Sequence, residues 1–152
     1  MPVMKQKSIK PATNIPYSEG ILVHNNTGSD IPADRLVTFY RGASTAKQGA
    51  LMTIELAPAG TATTKKYPIL VTKHAIPDGK SGVVLPWKTI SEDTSALGVG
   101  DPVYLSNAAA GEVKITAGAP THQRVVGVVL TSANPGEIFC APGMMLPLSS
   151  VN

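Results

Sequence analysis

Chemistry in this sequence would have to come from three histidines (His24, His74 and His122), one cysteine (Cys140) and a scatter of carboxylates. No two of the histidines stand at metal-ligand spacing, and none has a neighbouring cysteine or carboxylate pair in the manner of a zinc helix. A thiol nucleophile needs a base within hydrogen-bond reach, and His122 is the candidate partner for Cys140. Cys140, however, lies inside "EIFCAP", where alternation sets Ile138 and Cys140 on one face, the setting of a small buried hydrophobe. Asp78, Glu92, Asp93, Asp101, Glu112 and Glu137 stand mostly at turns or strand starts, where carboxylate oxygens cap backbone amides. Sugar hydrolysis by a carboxylate pair would also want an aromatic cleft, which one tryptophan and four tyrosines supply poorly. "GKSG" (79–82) lacks the spacing of a phosphate loop and reads as a turn. "NNT" (25–27) matches a glycosylation acceptor, which has meaning only in a secreted chain. This reading assigns no catalytic residue, metal ligand or cofactor, and expects a protein that is not an enzyme.

The elements that would position these groups are short strands. Apolar, β-branched runs occur at 21–25, 35–40, 51–57, 67–74, 82–90, 102–106, 112–116, 124–132 and 137–142. Between them lie segments rich in Gly, Pro, Asn and Asp, residues that supply positive φ or stabilise tight bends. Such spacing predicts an all-β fold, a small barrel or a paired-sheet core. "VVGVVL" does not alternate and is expected to be covered on both faces, whereas "EVKIT" and "LMTIELA" partly alternate. Only "SEDTSALG" (91–98) has the makings of a helical turn, with Ser91 as its cap and Gly98 as its stop.

Two stretches share a plan. "YPILVTKHAIPDGKSGVVLPW" (67–87) and "RVVGVVLTSANPGEIFCAPG" (124–143) each read as a hairpin, and each follows an aspartate-led strand, at Asp34 and Asp101. Setting Asp34 on Asp101 places Leu36 on Val103, Thr38 on Leu105 and Thr72 on Thr131. The chain then reads as two similar halves in one pseudo-symmetric β domain, residues 19–152.

Residues 1–18 differ in kind. Pro2, Pro11 and Pro16 exclude a regular helix, so this segment is expected to be an extended arm, mobile until something binds it. Its basic side chains Lys5, Lys7 and Lys10 and its apolar Ile9, Ile15 and Tyr17 are the candidate contacts.

Composition narrows the partners. Charged residues make up 15% of the chain, against about 25% in ordinary soluble domains, as suits either a surface packed against neighbours or a neutral β domain. A net charge of +3 with aromatics at 5% argues against nucleic acid. No run approaches the roughly 18 apolar residues of a membrane span, and the N-terminus lacks the apolar core of a signal peptide. The expectation is a chain made in the cytoplasm, with no membrane partner. Tyr40, Tyr67, Trp87 and Tyr104 are the candidate stacking residues if the chain is instead a carbohydrate- or host-binding module.

The phrases "VGDPVYLS", "AGEVKIT" and "RVVGVVLTSANPGEIFCAPG" resemble the small structural proteins of tailed bacteriophages, in particular capsid decoration (cement) proteins. The likeness covers 97–143 well and 31–87 more loosely, and it rests on strand and turn phrasing. It implies a β-rich virion protein on the capsid surface, partnered by the major capsid protein, forming a homotrimer and stabilising the expanded head. It also implies an N-terminal arm that becomes ordered on the shell.

Overall fold

The computed structural model describes residues 20–39, 47–48, 51–59, 68–116 and 124–142. The arm residues Lys5, Lys7, Ile9, Lys10, Ile15 and Tyr17 lie outside these, as do Tyr40, Tyr67 and His122. Among the described residues there is no helix; the β-branched runs form eleven strands. They are β1 (Ile21–Asn25), β2 (Leu36–Phe39), β3 (Lys47–Gln48), β4 (Leu51–Leu56), β5 (Leu70–Thr72), β6 (Ser81–Leu85), β7 (Lys88–Glu92), β8 (Pro102–Leu105), β9 (Val113–Lys114), β10 (Val125–Thr131) and β11 (Gly136–Cys140).

The all-β expectation is met, and its content is two sheets. The first has the order β1-β6-β5-β2-β4-β3, and a parallel β1–β4 pairing closes five of its strands into a barrel. The second sheet runs β7-β11-β10-β8-β9. Both expected hairpins form, as β5–β6 and β10–β11, the latter turning through a cis Asn134-Pro135 bond.

One run reads differently in space. "GVVLPWKTI", expected as a single strand, divides into β6 and β7 at Pro86-Trp87. Proline has no amide to offer a ladder, so the break falls there. It is also where the chain leaves the first sheet for the second. "SEDTSALG" does not become a helix either. Ser91 and Glu92 belong to β7, and Leu97 closes a tight turn by donating its amide to Thr94 O at 2.9 Å.

The halves are built alike. Replacing β1, β2, β4, β5 and β6 by β7, β8, β9, β10 and β11 turns one strand order into the other. Hydrogen bonds fix the residue alignment. The amide of Asp34 donates to Thr72 O and that of Thr72 to Arg35 O, at 3.1 and 2.9 Å. Gly100, Val129 and Asp101 repeat the pattern at 2.8 and 3.0 Å. Asp34 therefore corresponds to Gly100, not Asp101, and Thr72 to Val129, not Thr131; Val37 falls on Val103 and Thr38 on Tyr104. The shared requirement is a left-handed backbone, φ 61° at Asp34 and 87° at Gly100. Either glycine or aspartate meets that requirement, so matching aspartate to aspartate slips the register by one.

Two cores result. Val23, Ile31, Val37, Ile54, Leu70, Ile76 and Val84 fill the first barrel. Leu36, Ala57, Ile69 and Val71, from the opposite face of β2 and β5 and the residues flanking them, join Ile90, Val103, Val126, Val129, Ile138 and Cys140 in the second. At about 1.5–3 kcal/mol for each large aliphatic side chain removed from water, this burial supplies most of the drive to fold. "VVGVVL" is covered on both faces only at Val126 and Gly127; Leu130, toward the other end of β10, is exposed. "LMTIEL" buries the consecutive pair Thr53 and Ile54 instead of alternating, β4 having neighbours on both edges.

Candidate functional site

The joint between the halves gathers the charged groups. Asp34 precedes β2, and its carboxylate receives the ammonium of Lys88, the first residue of β7. Lys88 Nζ also donates to Lys73 O at 2.9 Å. Arg35 reaches Glu112 at 3.6 Å. The backbone carries the joint further: Leu36 donates its amide to Gly111 O, and Gly111 donates its own to Ala57 O, both at 2.8 Å. Gly111 has φ 73°, and a Cβ there would meet Leu56 Cδ2 at 2.6 Å and Leu36 O at 3.0 Å. These ties position β7, β8 and β9 against the outside of the first barrel.

Cys140 is fully buried in the second core. Burial pushes its thiol up to about 12, and the neighbouring Asp34 carboxylate acts in the same direction. A thiol so held stays protonated, which is the opposite of an activated nucleophile. The two described histidines have structural partners. His74 Nδ1 donates to Ala75 O at 2.8 Å while its Nε2 accepts from the Val83 amide at 3.2 Å. His24 Nδ1 lies 3.3 Å from Ser81 Oγ. Among the described residues no three His, Cys, Asp or Glu side chains come together at a metal-binding distance.

Several carboxylates cap backbone amides, as their positions suggested. Asp78 accepts from Gly28 at 2.8 Å, Asp101 from Gly98 at 2.8 Å and Asp93 from Ser95 at 3.0 Å. The Ser95 hydroxyl and amide hold the Asp93 carboxyl below its ordinary value of 3.8. Asn25, the acceptor position of "NNT", is fully buried, and its side-chain amide donates to Ser29 O and Ile76 O at 2.8 Å each. That nitrogen is committed to pinning two loops together.

Two clefts remain. One, of about 450 Å³, lies at the end of the first barrel between the 26–31 loop and β4, lined by Thr27, Ser29, Asp30, Thr53 and Glu55 among others. The other, of about 380 Å³, lies between Glu92 at the end of β7 and the 106–116 segment that contains β9. Of the four aromatic candidates, Trp87 is 53% exposed and its ring centroid sits 5.9 Å from that of Phe139. Tyr104 is half-buried in β8. Leu22 is likewise 53% exposed, near the end of β1 where residues 1–19 join. Sequence reasoning passed over Leu22 because an apolar residue in a strand reads as core; only the β1–β6 pairing shows which face it takes.

The architecture is that of a closed five-stranded barrel with a second sheet of the same strand order packed on it. Comparison with known protein families, curated proteins and solved structures finds no match.

Proposed function

We propose that this is a structural virion protein that binds the outer surface of a tailed-phage capsid and stabilises the expanded head, acting as a trimer. What supports the reading above all is the apolar surface at the arm's root. Gly20 lies against Val83, Val84 and Leu85 at the C-terminal end of β6. Exposed Ile21 and Leu22 follow it, and exposed Trp87 stands two residues beyond Leu85. Large apolar side chains left in water are candidates for a contact surface. The resemblance of the strand and turn phrasing to decoration proteins points to the major capsid protein as the partner. An extended arm adds a strand to an exposed sheet edge, and three arms on one trimer reinforce one another.

Co-sedimentation with expanded, undecorated capsids tests this, using the full chain and a chain lacking residues 1–18. Saturable binding at a fixed ratio to capsid subunits, lost without the arm, is the expected result. Absence of binding by the full chain overturns it. The exposed Trp87 favours a second reading, a carbohydrate- or host-binding module of a fibre or spike. Glycan binding that disappears in Trp87→Ala would establish that reading instead.

A further inference from the structure

The β5–β6 hairpin departs from a regular ladder at one rung. Its pairs Val71↔Leu85 and Thr72↔Val84 set Lys73 opposite Val83 as the next. In an antiparallel ladder alternate pairs exchange two hydrogen bonds, and Lys73 and Val83 stand where such a pair belongs. Half of the exchange is made, since the Lys73 amide donates to Val83 O at 3.0 Å. The return bond goes elsewhere. The Val83 amide donates to His74 Nε2 at 3.2 Å, and Lys73 O accepts Lys88 Nζ at 2.9 Å. An imidazole thus stands in for a backbone carbonyl. The carbonyl it replaces holds the same ammonium that Asp34 receives, so the hairpin and the joint between the halves share one oxygen.

The ring is built into this place. His74 Nδ1 faces Ala75 O at 2.8 Å, a group that only accepts, while Nε2 faces an amide, which only donates. One neutral tautomer, with its hydrogen on Nδ1, satisfies both. Gly82 leaves the room for it, because a Cβ there would lie 2.9 Å from His74 Cε1 and 2.5 Å from Ile76 Cγ1. A protonated imidazole carries hydrogen on both nitrogens and accepts nothing, so the Val83 amide then loses its partner. The charged and titratable groups on the surrounding elements are Lys73 and Lys80 on the arms of the hairpin and Asp78 in its turn. Beyond these are Asp30 in the 26–31 loop, His24 across β6 on β1, and Lys88 with Asp34 at the joint. Asp30 accepts the Asp78 amide, Asp78 accepts the Gly28 amide, and His24 lies against Ser81 Oγ.

We propose that His74 is a pH-operated latch between the β5–β6 hairpin and the joint of the two halves. With the ring neutral, Nε2 holds the Val83 amide and Lys73 O is left to Lys88. With the ring protonated, the Val83 amide turns to Lys73 O, its ordinary ladder acceptor, and competes with Lys88 there. An amide without a partner is costly, which drives the exchange. The proton also adds a positive charge one residue from the carbonyl that binds the Lys88 ammonium. Both effects act in the same direction. The tie is whole where imidazole is neutral and loosens as the pH falls through the range of about 5–8 in which histidines titrate. The device uses only groups of this chain and is independent of any capsid or other partner.

NMR of the isotope-labelled full chain reads each step. Near pH 8 the imidazole nitrogen shifts should place the hydrogen on Nδ1, and Val83 should share a scalar coupling with His74 Nε2 across the N–H···N bond. Near pH 5 that coupling should vanish and one from the Val83 nitrogen to the Lys73 carbonyl carbon should replace it, with the midpoint of the ring's own titration. His74→Gln keeps an acceptor on the side chain and removes the proton site. In that variant the Val83 amide and Lys73 carbonyl shifts should stay constant over the same range. Lys88→Met reads the joint by urea titration. Its effect on the unfolding equilibrium constant should be about threefold larger near pH 8 than near pH 5, and equal at the two in the His74→Gln background. Hydrogen on Nε2 near pH 8 overturns the proposal. So does a Val83 amide whose shift ignores the titration of His74, or a Lys88→Met effect that is the same at both pH values.

Discussion

Gly111→Ala probes the joint between the halves, and Gly79→Ala is its control. Both glycines have almost the same backbone, φ 73° and 72°. A side chain in that region costs about 1–2 kcal/mol. They differ in what a Cβ would meet: nothing within 4 Å at Gly79, but Leu56 Cδ2 at 2.6 Å and Leu36 O at 3.0 Å at Gly111. Leu56 Cδ2 can swing aside, whereas Leu36 O cannot move without disturbing the bond that Ala57 donates to it at 2.9 Å. Overpacking of this kind costs a further ~1–3 kcal/mol. Gly79→Ala should therefore lower stability by about 1–2 kcal/mol and Gly111→Ala by about 2–5 kcal/mol. At about 2–4 °C per kcal/mol for a chain of this size, the additional fall in Tm at Gly111 is roughly 2–12 °C. Urea titrations and thermal melts followed by far-UV circular dichroism measure both. Equal losses in the two variants would refute the claim that Gly111 seats the second half on the first.

Thr72 is fully buried, and its hydroxyl donates to Pro32 O at 2.8 Å while accepting the Arg35 amide at 2.9 Å. Thr72→Val keeps the shape and strands both groups, so urea titration should show a loss of about 1–3 kcal/mol, with Thr72→Ser largely spared. The Cys140 thiol, raised to about 12 from 9.0, should resist alkylation in native protein at neutral pH and react fully in urea. The same shift makes stability fall as pH rises from about 9 toward 12, because there the unfolded thiol ionises and the folded one does not. Asp93 titrates in the opposite sense. Its folded value lies below 3.8, so its contribution is complete at neutral pH and fades as pH falls through that folded value. Paired melts against Asp93→Asn should therefore differ at neutral pH and converge in acid.

The strands and hairpins were legible because β-branched runs bounded by turn residues leave little alternative. The doubling was legible too, as two hairpins behind two aspartates, but its register was not. What repeats is a left-handed residue whose amide reaches the hairpin, and that property belongs to backbone conformation rather than to residue type. The Pro86-Trp87 break was written in the sequence as a proline within a strand, and its weight was underestimated because apolar residues continue on both sides. The pairing of Lys88 with Asp34 had no local signal, since the partners come from different halves and meet only once both sheets exist.

The unequal sharing of the two cores bears on how the chain is made. A polypeptide that has grown only as far as Leu85 already holds every strand of the closed barrel, and the core inside it draws on no later residue. The second sheet has no such independence, for its core includes Leu36, Ala57, Ile69 and Val71 from the first. At about 5–20 residues per second, the barrel is complete several seconds before the last strand leaves the ribosome. The first-made half is thus the surface on which the second assembles, and the order of synthesis coincides with the order of dependence.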